Sequence, residues 1–341
     1  MRRQLRVGLV LGAGGVLGGA WLVGALHALR SELDWEPADA SHLVGTSAGS
    51  LMAGLLAAGV TSDRLLPEAA RGVRDTSELD PEQDWLLLEV AAETTYSLPQ
   101  IPRLLPGSLG LCWAGLRAPG LWTPVRLISG LAPAGLVPTD PIQRTVRQAF
   151  DGDGWPQGPE CWIVACDYVS GKRVVFGADD SPEALLPEAV GASCAIPGFF
   201  QPQRIDGRLY VDGGVGSLAN LDLVAGCGLD LVICLNPMSH SVLSRTWSPV
   251  EQLSRGFARL AAWQLRREAE RVRRFGTPVV LLEPTTDDLA LMGSNLMNAK
   301  RSLEVAQLAS ETVAVQLRQL LLSGKLPAAA QDAVRDLAAA A

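Results

Sequence analysis

The sequence predicts an α/β protein with a mostly parallel central sheet and helices on both faces. Three observations carry that expectation. Short apolar runs at residues 5–11, 42–46, 229–235 and 279–282 are separated by stretches with helical spacing, the alternation expected of parallel strands joined by crossover helices. The runs at 5–11 and 229–235 are almost continuously apolar, as in strands buried on both faces. Glycine-bearing segments at 12–19, 45–49 and 212–214 each follow a predicted strand, and such sheets bind ligands beyond the strand C-terminal ends.

The chain of 341 residues is long enough to bury a large core, and 48% of it is apolar. A net charge of −7 argues against general nucleic-acid affinity. The six cysteines stand in apolar surroundings without a Cys-x-x-Cys pair, and there are three histidines. Reduced, buried thiols in a cytoplasmic protein follow, with no zinc site.

Arg2, Arg3 and Arg6 precede an uncharged stretch, Val7–Leu29, that superficially resembles a signal peptide or membrane span. Seven glycines interrupt it, so strand, loop and helix are expected instead: Leu5–Leu11, Gly12–Gly19 and Ala20–Leu33. The loop aims backbone N–H groups at an anion, either a dinucleotide pyrophosphate or the oxyanion of an acyl transfer. The dinucleotide fingerprint expects its third glycine where Leu17 stands, and Asp34, near the spacing for a ribose contact, lies at a helix end.

A second strand from His42 enters Gly45-Thr-Ser-Ala-Gly49, followed by an Ala/Leu-rich helix towards Gly59. Strand, Gly-x-Ser-x-Gly and helix form the context of a nucleophile elbow at Ser47, with Gly45 and Gly49 where a Cβ would collide. An ordinary tight turn before a buried helix is the plainer alternative.

Residues 59–84 read as a polar connector with some helix. Between Tyr96 and Pro141, eight prolines interrupt an apolar stretch containing Trp113 and Trp122. Such a stretch forms no long regular element, and it suits a lid over an apolar site, attachment at an interface, or an irregular core edge. Two strands, Cys161–Tyr168 and Arg173–Phe176, then a short helix over Pro182–Gly191, lead to a hairpin at Arg204–Asp206 and Arg208–Val211 about Asp206-Gly207. Helical spacing follows over Leu218–Gly226, Pro249–Phe275 and Asn298–Leu322. The second of these carries seven arginines, read as a solvated face or a dock for anionic lipid.

A serine nucleophile needs a base. His27 and His42 suit core or surface roles. Ser47, Asp212 and His240 match the chain order of α/β-hydrolase triads, although few strands precede the elbow. The alternative is a dyad in which Asp212 takes the proton directly, with Gly213 and Gly214 turning the chain beside the serine. Asp212 is otherwise a turn residue at the end of the hairpin.

The glycine loop after the first strand, Gly-Thr-Ser-Ala-Gly at 45–49 and Asp212-Gly-Gly, together with Ala195-Ile-Pro-Gly-Phe-Phe-x-Pro202, resemble the patatin-like phospholipase family over roughly residues 5–300. That resemblance implies a three-layer patatin-like architecture and lipid acyl-ester hydrolysis by a Ser47–Asp212 dyad. It implies an oxyanion hole from the amides of Gly14, Gly15 and Val16, and no metal or organic cofactor. The partners it implies are a lipid or ester substrate and peripheral contact with a membrane. One catalytic domain over 1–325 is expected, with 85–141 as covering segment and 326–341 as an Ala-rich tail. The sequence departs from the family where its loop carries Arg or Lys, because Leu17 and Gly18 stand there. Contact with a phospholipid phosphate is therefore in question, and a neutral lipid, lysolipid or simple ester is equally open. The rival classes are a dinucleotide-binding oxidoreductase and a catalytically silent lipid-binding protein.

Overall fold

Leu9 and Leu11 of strand β1 (Val7–Leu11) pack to one face of a sheet, and Val10 packs to the other. The same division runs through β2 (His42–Thr46) and β7 (Leu231–Leu235), because side chains alternate along a strand. These residues belong to a computed structural model that describes residues 5–66, 107–117, 123–150, 154–239, 249–322, 334 and 337. The remaining strands are β3 (Glu160–Asp167), β4 (Arg173–Phe176), β5 (Gln203–Ile205), β6 (Arg208–Asp212) and β8 (Val279–Leu282). Among the described residues the eight strands form one sheet in the order β5-β6-β3-β2-β1-β7-β8, with β4 also on β3. The run from β3 to β8 in that order is parallel, while β4, β5 and β6 pair antiparallel.

Both faces are covered. On one lie α1 (Gly15–Leu33), α2 (Ala48–Ala57) and the late helix α10 (Ser302–Leu322), which close over Leu9, Leu11, Leu43, Ile163 and Ile233. Each fully buried Leu or Ile contributes about 1.5–3 kcal/mol. Helices α1 and α10 approach so closely that a Cβ on Gly24 would meet the Ala306 carbonyl oxygen at 2.1 Å. On the other face, Leu265, Ala269 and Val272 of α8 (Pro249–Arg274) cover Val10, Val44, Val164 and Val232.

The strand–loop–helix reading of the N-terminal stretch holds, but α1 starts at Gly15 rather than Ala20. Gly18 belongs to its first turn and lies against Pro237, so close packing outweighs poor helix propensity there. Between α2 and β3 come the short α3 (Ser62–Leu65), α4 (Leu109–Arg117), α5 (Thr123–Leu131) and α6 (Asp140–Ala149). The proline-rich stretch thus yields helices of about two turns. Helix α7 (Leu186–Ser193) begins later than expected, with Pro187 in its first turn. The predicted helix over 218–226 is only a 3-10 turn at Leu221–Val224, because Asn220 is left-handed at φ 55°. Helix α9 (Thr286–Met292) was not anticipated, although Thr285 and Asp288 form its capping box.

No helix among the described residues is long and apolar enough to cross a membrane. All six cysteines are free thiols. Residues 67–106 and 118–122, His240 and nearly all of the Ala-rich tail lie outside the described residues, and with them most of the expected connector and half of the covering segment.

Candidate active site

Strand register brings Ser47 and Asp212 together. Val164 of β3 pairs at once with Thr46 and Val175, and Ala165 pairs with Asp212 and Val174. Because β4 runs unbroken along one edge of β3, β2 and β6 must share the other edge, running towards each other. Thr46 and Asp212 are their last residues, so the two strands stop head to head, with Ser47 in the gap.

Ser47 turns there at φ 54°, ψ −123°, a conformation that costs a non-glycine residue about 1–3 kcal/mol. Its surroundings hold it in place. The backbone N–H of Ser47 donates to Ser193 Oγ at 2.9 Å, and that hydroxyl donates to the Val164 carbonyl at 2.6 Å. The Ser47 carbonyl accepts from Ser50 Oγ at 2.6 Å and from the Cys194 thiol at 3.2 Å. Asn220 fixes the preceding residue by donating to Thr46 Oγ1 at 3.0 Å. Glycine is required on both sides of the turn. A Cβ on Gly45 would stand 2.5 Å from the Gly49 carbonyl oxygen, and one on Gly49 would stand 2.1 Å from that of Leu11.

Asp212 caps a 3-10 turn over Gly213–Val215, its Oδ1 accepting from Gly214 N–H at 2.7 Å. A Cβ on Gly213 would lie 2.4 Å from the Val164 carbonyl oxygen, and one on Gly214 would lie 2.9 Å from Asp212 Oδ1. The carboxyl is buried, and that desolvation pushes its pKa up to about 6 against the pull of hydrogen bonds from Ser47 and Gly214. It is mostly ionised at neutral pH yet basic enough to hold a proton in passing.

The loop before α1 adds the third component. The amides of Gly12, Ala13 and Leu17 donate to the carbonyls of Leu235, Leu218 and Leu296. Those of Gly14, Gly15 and Val16 meet no acceptor among the described residues, and the first turn of a helix offers none. Gly15 takes φ 62°, and a Cβ on Gly14 would meet Gly18 Cα at 2.6 Å. Gly15, Val16 and Ser47 together border a cavity of about 60 Å³ whose walls include Leu51, Ile142, Ile196, Phe200 and Met297. Cys194 also reaches this cavity, but burial pushes its thiol up to about 12, so it is no thiolate rival to the serine.

The described histidines stand elsewhere. His27 faces Asp63 at 3.4 Å, and buried His42 lies at the far end of β2, 2.9 Å from Glu160. Asp34, considered for a ribose, pairs with Arg30 at 2.6 Å beyond the end of α1. Leu17, where a loop cation was sought, is fully buried. Sequence reasoning missed Ser193, Cys194 and Asn220. The first two were visible only as neighbours of the Ala195–Pro202 motif, and Asn220 gave no signal.

The family model for patatin-like phospholipases matches residues 9–225. An uncharacterized NTE family protein of Mycobacterium tuberculosis and one of Mycobacterium bovis are each 30% identical over 234 residues. The match takes in 68% of this chain and 49% of each relative, so the chain spans about half the length of the curated relatives it matches. Among solved structures, VipD from Legionella pneumophila aligns with 92% of this chain and 67% of its own at 15% identity and a TM-score of 0.37. The type III effector protein ExoU aligns with 92% of this chain and 53% of its own, at 17% and 0.33. With the family model covering well over half of the chain, including the loop, the elbow and the Asp-Gly-Gly turn, the chain belongs to the patatin-like phospholipase family.

Proposed function

We propose that the protein is a serine acyl hydrolase of lipid esters, working through a Ser47–Asp212 dyad within one catalytic domain over residues 1–325. The observation that carries this reading is the strained Ser47 lining an apolar cavity together with Gly15 and Val16, beside a buried carboxylate whose pKa it lowers. Ser47 Oγ attacks the ester carbonyl carbon while the Asp212 carboxylate takes its proton. The amides of Gly14, Gly15 and Val16, at a helix N-terminus, stabilise the oxyanion. The tetrahedral intermediate collapses, the alcohol leaves with the proton from Asp212, and an acyl-serine remains. Water then gives a proton to Asp212 and attacks the acyl carbon, releasing the fatty acid and restoring Ser47.

The cavity walls suit an acyl chain. With Leu17 buried in the first turn of α1, no cation at that position contacts a phosphate, so the reading extends to neutral lipids, lysolipids and simple esters as well as phospholipids. Peripheral contact with a lipid surface has its own support. Leu109, Trp113 and Leu116 of α4, with Ile128 and Leu131 of α5, are exposed at helical spacing, and α5 packs on the Gly213–Val215 turn.

A fluorophosphonate probe tests the dyad. Wild type is expected to be labelled, while Ser47→Ala and Asp212→Asn are not. Full labelling of Ser47→Ala, or of Asp212→Asn, overturns the assignment. Absence of labelling in folded wild type with lipid micelles present would favour a catalytically silent lipid binder.

A further inference from the structure

A second cavity of about 1060 Å³ opens on the α8 side of the sheet and shares no lining residue with the one beside Ser47. Six arginines from three elements face it: Arg126 of α5, Arg173 of β4, and Arg266, Arg267, Arg271 and Arg274 of α8. Arg267, Arg271 and Arg274 stand at i, i+4 and i+7 and so form one stripe, with Arg266 to one side of it. Three carboxylates face the same space, those of Asp222, Glu268 and Glu270. Six positive charges against these three and Glu283, which pairs with Arg266, leave two in excess, in a chain whose net charge is −7.

The pairing inside the cleft shows which charges are uncommitted. Asp222 holds two arginines, Arg173 at 2.6 and 3.0 Å and Arg271 at 3.6 Å. Glu268 is buried and turned inward, accepting from Ser217 Oγ, Leu221 N–H and Gln264 Nε2. Arg266 reaches Glu283 at 3.6 Å. Arg126, Arg267 and Arg274 meet no carboxylate among the described residues. Arg126 Nε is enclosed by protein and has no hydrogen-bond acceptor among them. Arg267 is held over the Trp263 ring, 5.3 Å from its centroid, and both side chains line the cleft.

We propose that this cleft is a second ligand site, taking a phosphorylated anion of two or more negative charges. Guanidinium forks match phosphate oxygens in geometry, a concave site concentrates their field, and an excess of two charges matches a phosphate monoester or polyphosphate better than a diester. The same chemistry is offered by a lipid head group ending in a phosphate monoester and by a free phosphorylated small molecule.

The test uses tripolyphosphate and vesicles. Calorimetric titration of the full-length protein with tripolyphosphate at low salt is expected to give saturable binding that weakens as salt rises. Arg267→Gln/Arg274→Gln changes two exposed side chains and is expected to weaken it about tenfold or more with unchanged melting temperature. A second arm sediments the Ser47→Ala protein, which leaves the lipid intact, with phosphatidylcholine vesicles with or without phosphatidic acid. Preference for phosphatidic acid that tripolyphosphate competes away assigns the site to a lipid head group, and tripolyphosphate binding without that preference assigns it to a soluble ligand. Neither binding nor preference, or equal binding by the double variant, overturns the proposal. No readout depends on catalysis, so these outcomes are separate from those of the fluorophosphonate experiment.

Discussion

Replacing Asp212 by Asn should make the protein more stable as it loses its proposed base. Burial raises the Asp212 carboxyl from 3.8 to about 6, so the folded state favours the protonated form more than the unfolded state does. The folded state therefore binds more protons, and stability falls as pH rises from the unfolded value through the folded one. A shift of about two units corresponds to about 3 kcal/mol of destabilisation, absent below the unfolded value, about half developed at pH 5 and complete by pH 8. Asn keeps an oxygen for Gly214 N–H and carries no charge, so it escapes this cost. The assay is urea unfolding of both proteins between about pH 5 and pH 8. The Asn variant should gain on wild type with increasing pH, with a further ~1.4 kcal/mol appearing across that window. Fluorophosphonate labelling of wild type should rise over the same range with a midpoint near pH 6. A stability difference that stays flat with pH, or labelling that is constant from pH 5 to 8, would refute a desolvated carboxylate acting on Ser47.

Ser193→Ala should lower stability by about 1–3 kcal/mol, because it strands the buried Ser47 N–H and the Val164 carbonyl, and it should slow labelling with Ser47 and Asp212 intact. Urea midpoints and labelling rates measured together check both halves. Gly49→Ala should be far more damaging despite adding one methyl group, since that carbon would sit 2.1 Å from the rigid Leu11 carbonyl oxygen. Loss of soluble folded protein, or a drop of more than about 4 kcal/mol, is expected on unfolding.

The three motifs were expected to converge because each follows a strand, and that reasoning was incomplete. Strand β6 runs antiparallel to its neighbour, so a longer β6 would have carried Asp212 to the opposite end of the sheet. Asp212 reaches Ser47 because β6 comes in from beyond the end of β2, passes Asp167 at Tyr210, and stops beside Ala165. Sheet register is a long-range quantity, and no local pattern encodes it. The same limit hid Ser193 and Asn220. A serine near a helix end and an asparagine before a 3-10 turn are unremarkable until β3 and the elbow lie against them.

What the sequence by itself determined was whatever depends on neighbours along the chain. Continuous apolar runs marked the buried strands to within about two residues, because burial on both faces leaves no polar alternation. Glycines at 45 and 49 marked the elbow, because a tight turn between strand and helix has no space for Cβ. The Asp206-Gly207 pair marked the hairpin, and both residues take positive φ as its turn requires. The tertiary structure alone decided which carboxylate faces the serine, how far burial raises it, which loop amides remain unpaired, and that arginines from three elements meet in one cleft. Each depends on groups far apart in sequence, and their energies arise from distance and desolvation once the chain has closed around them.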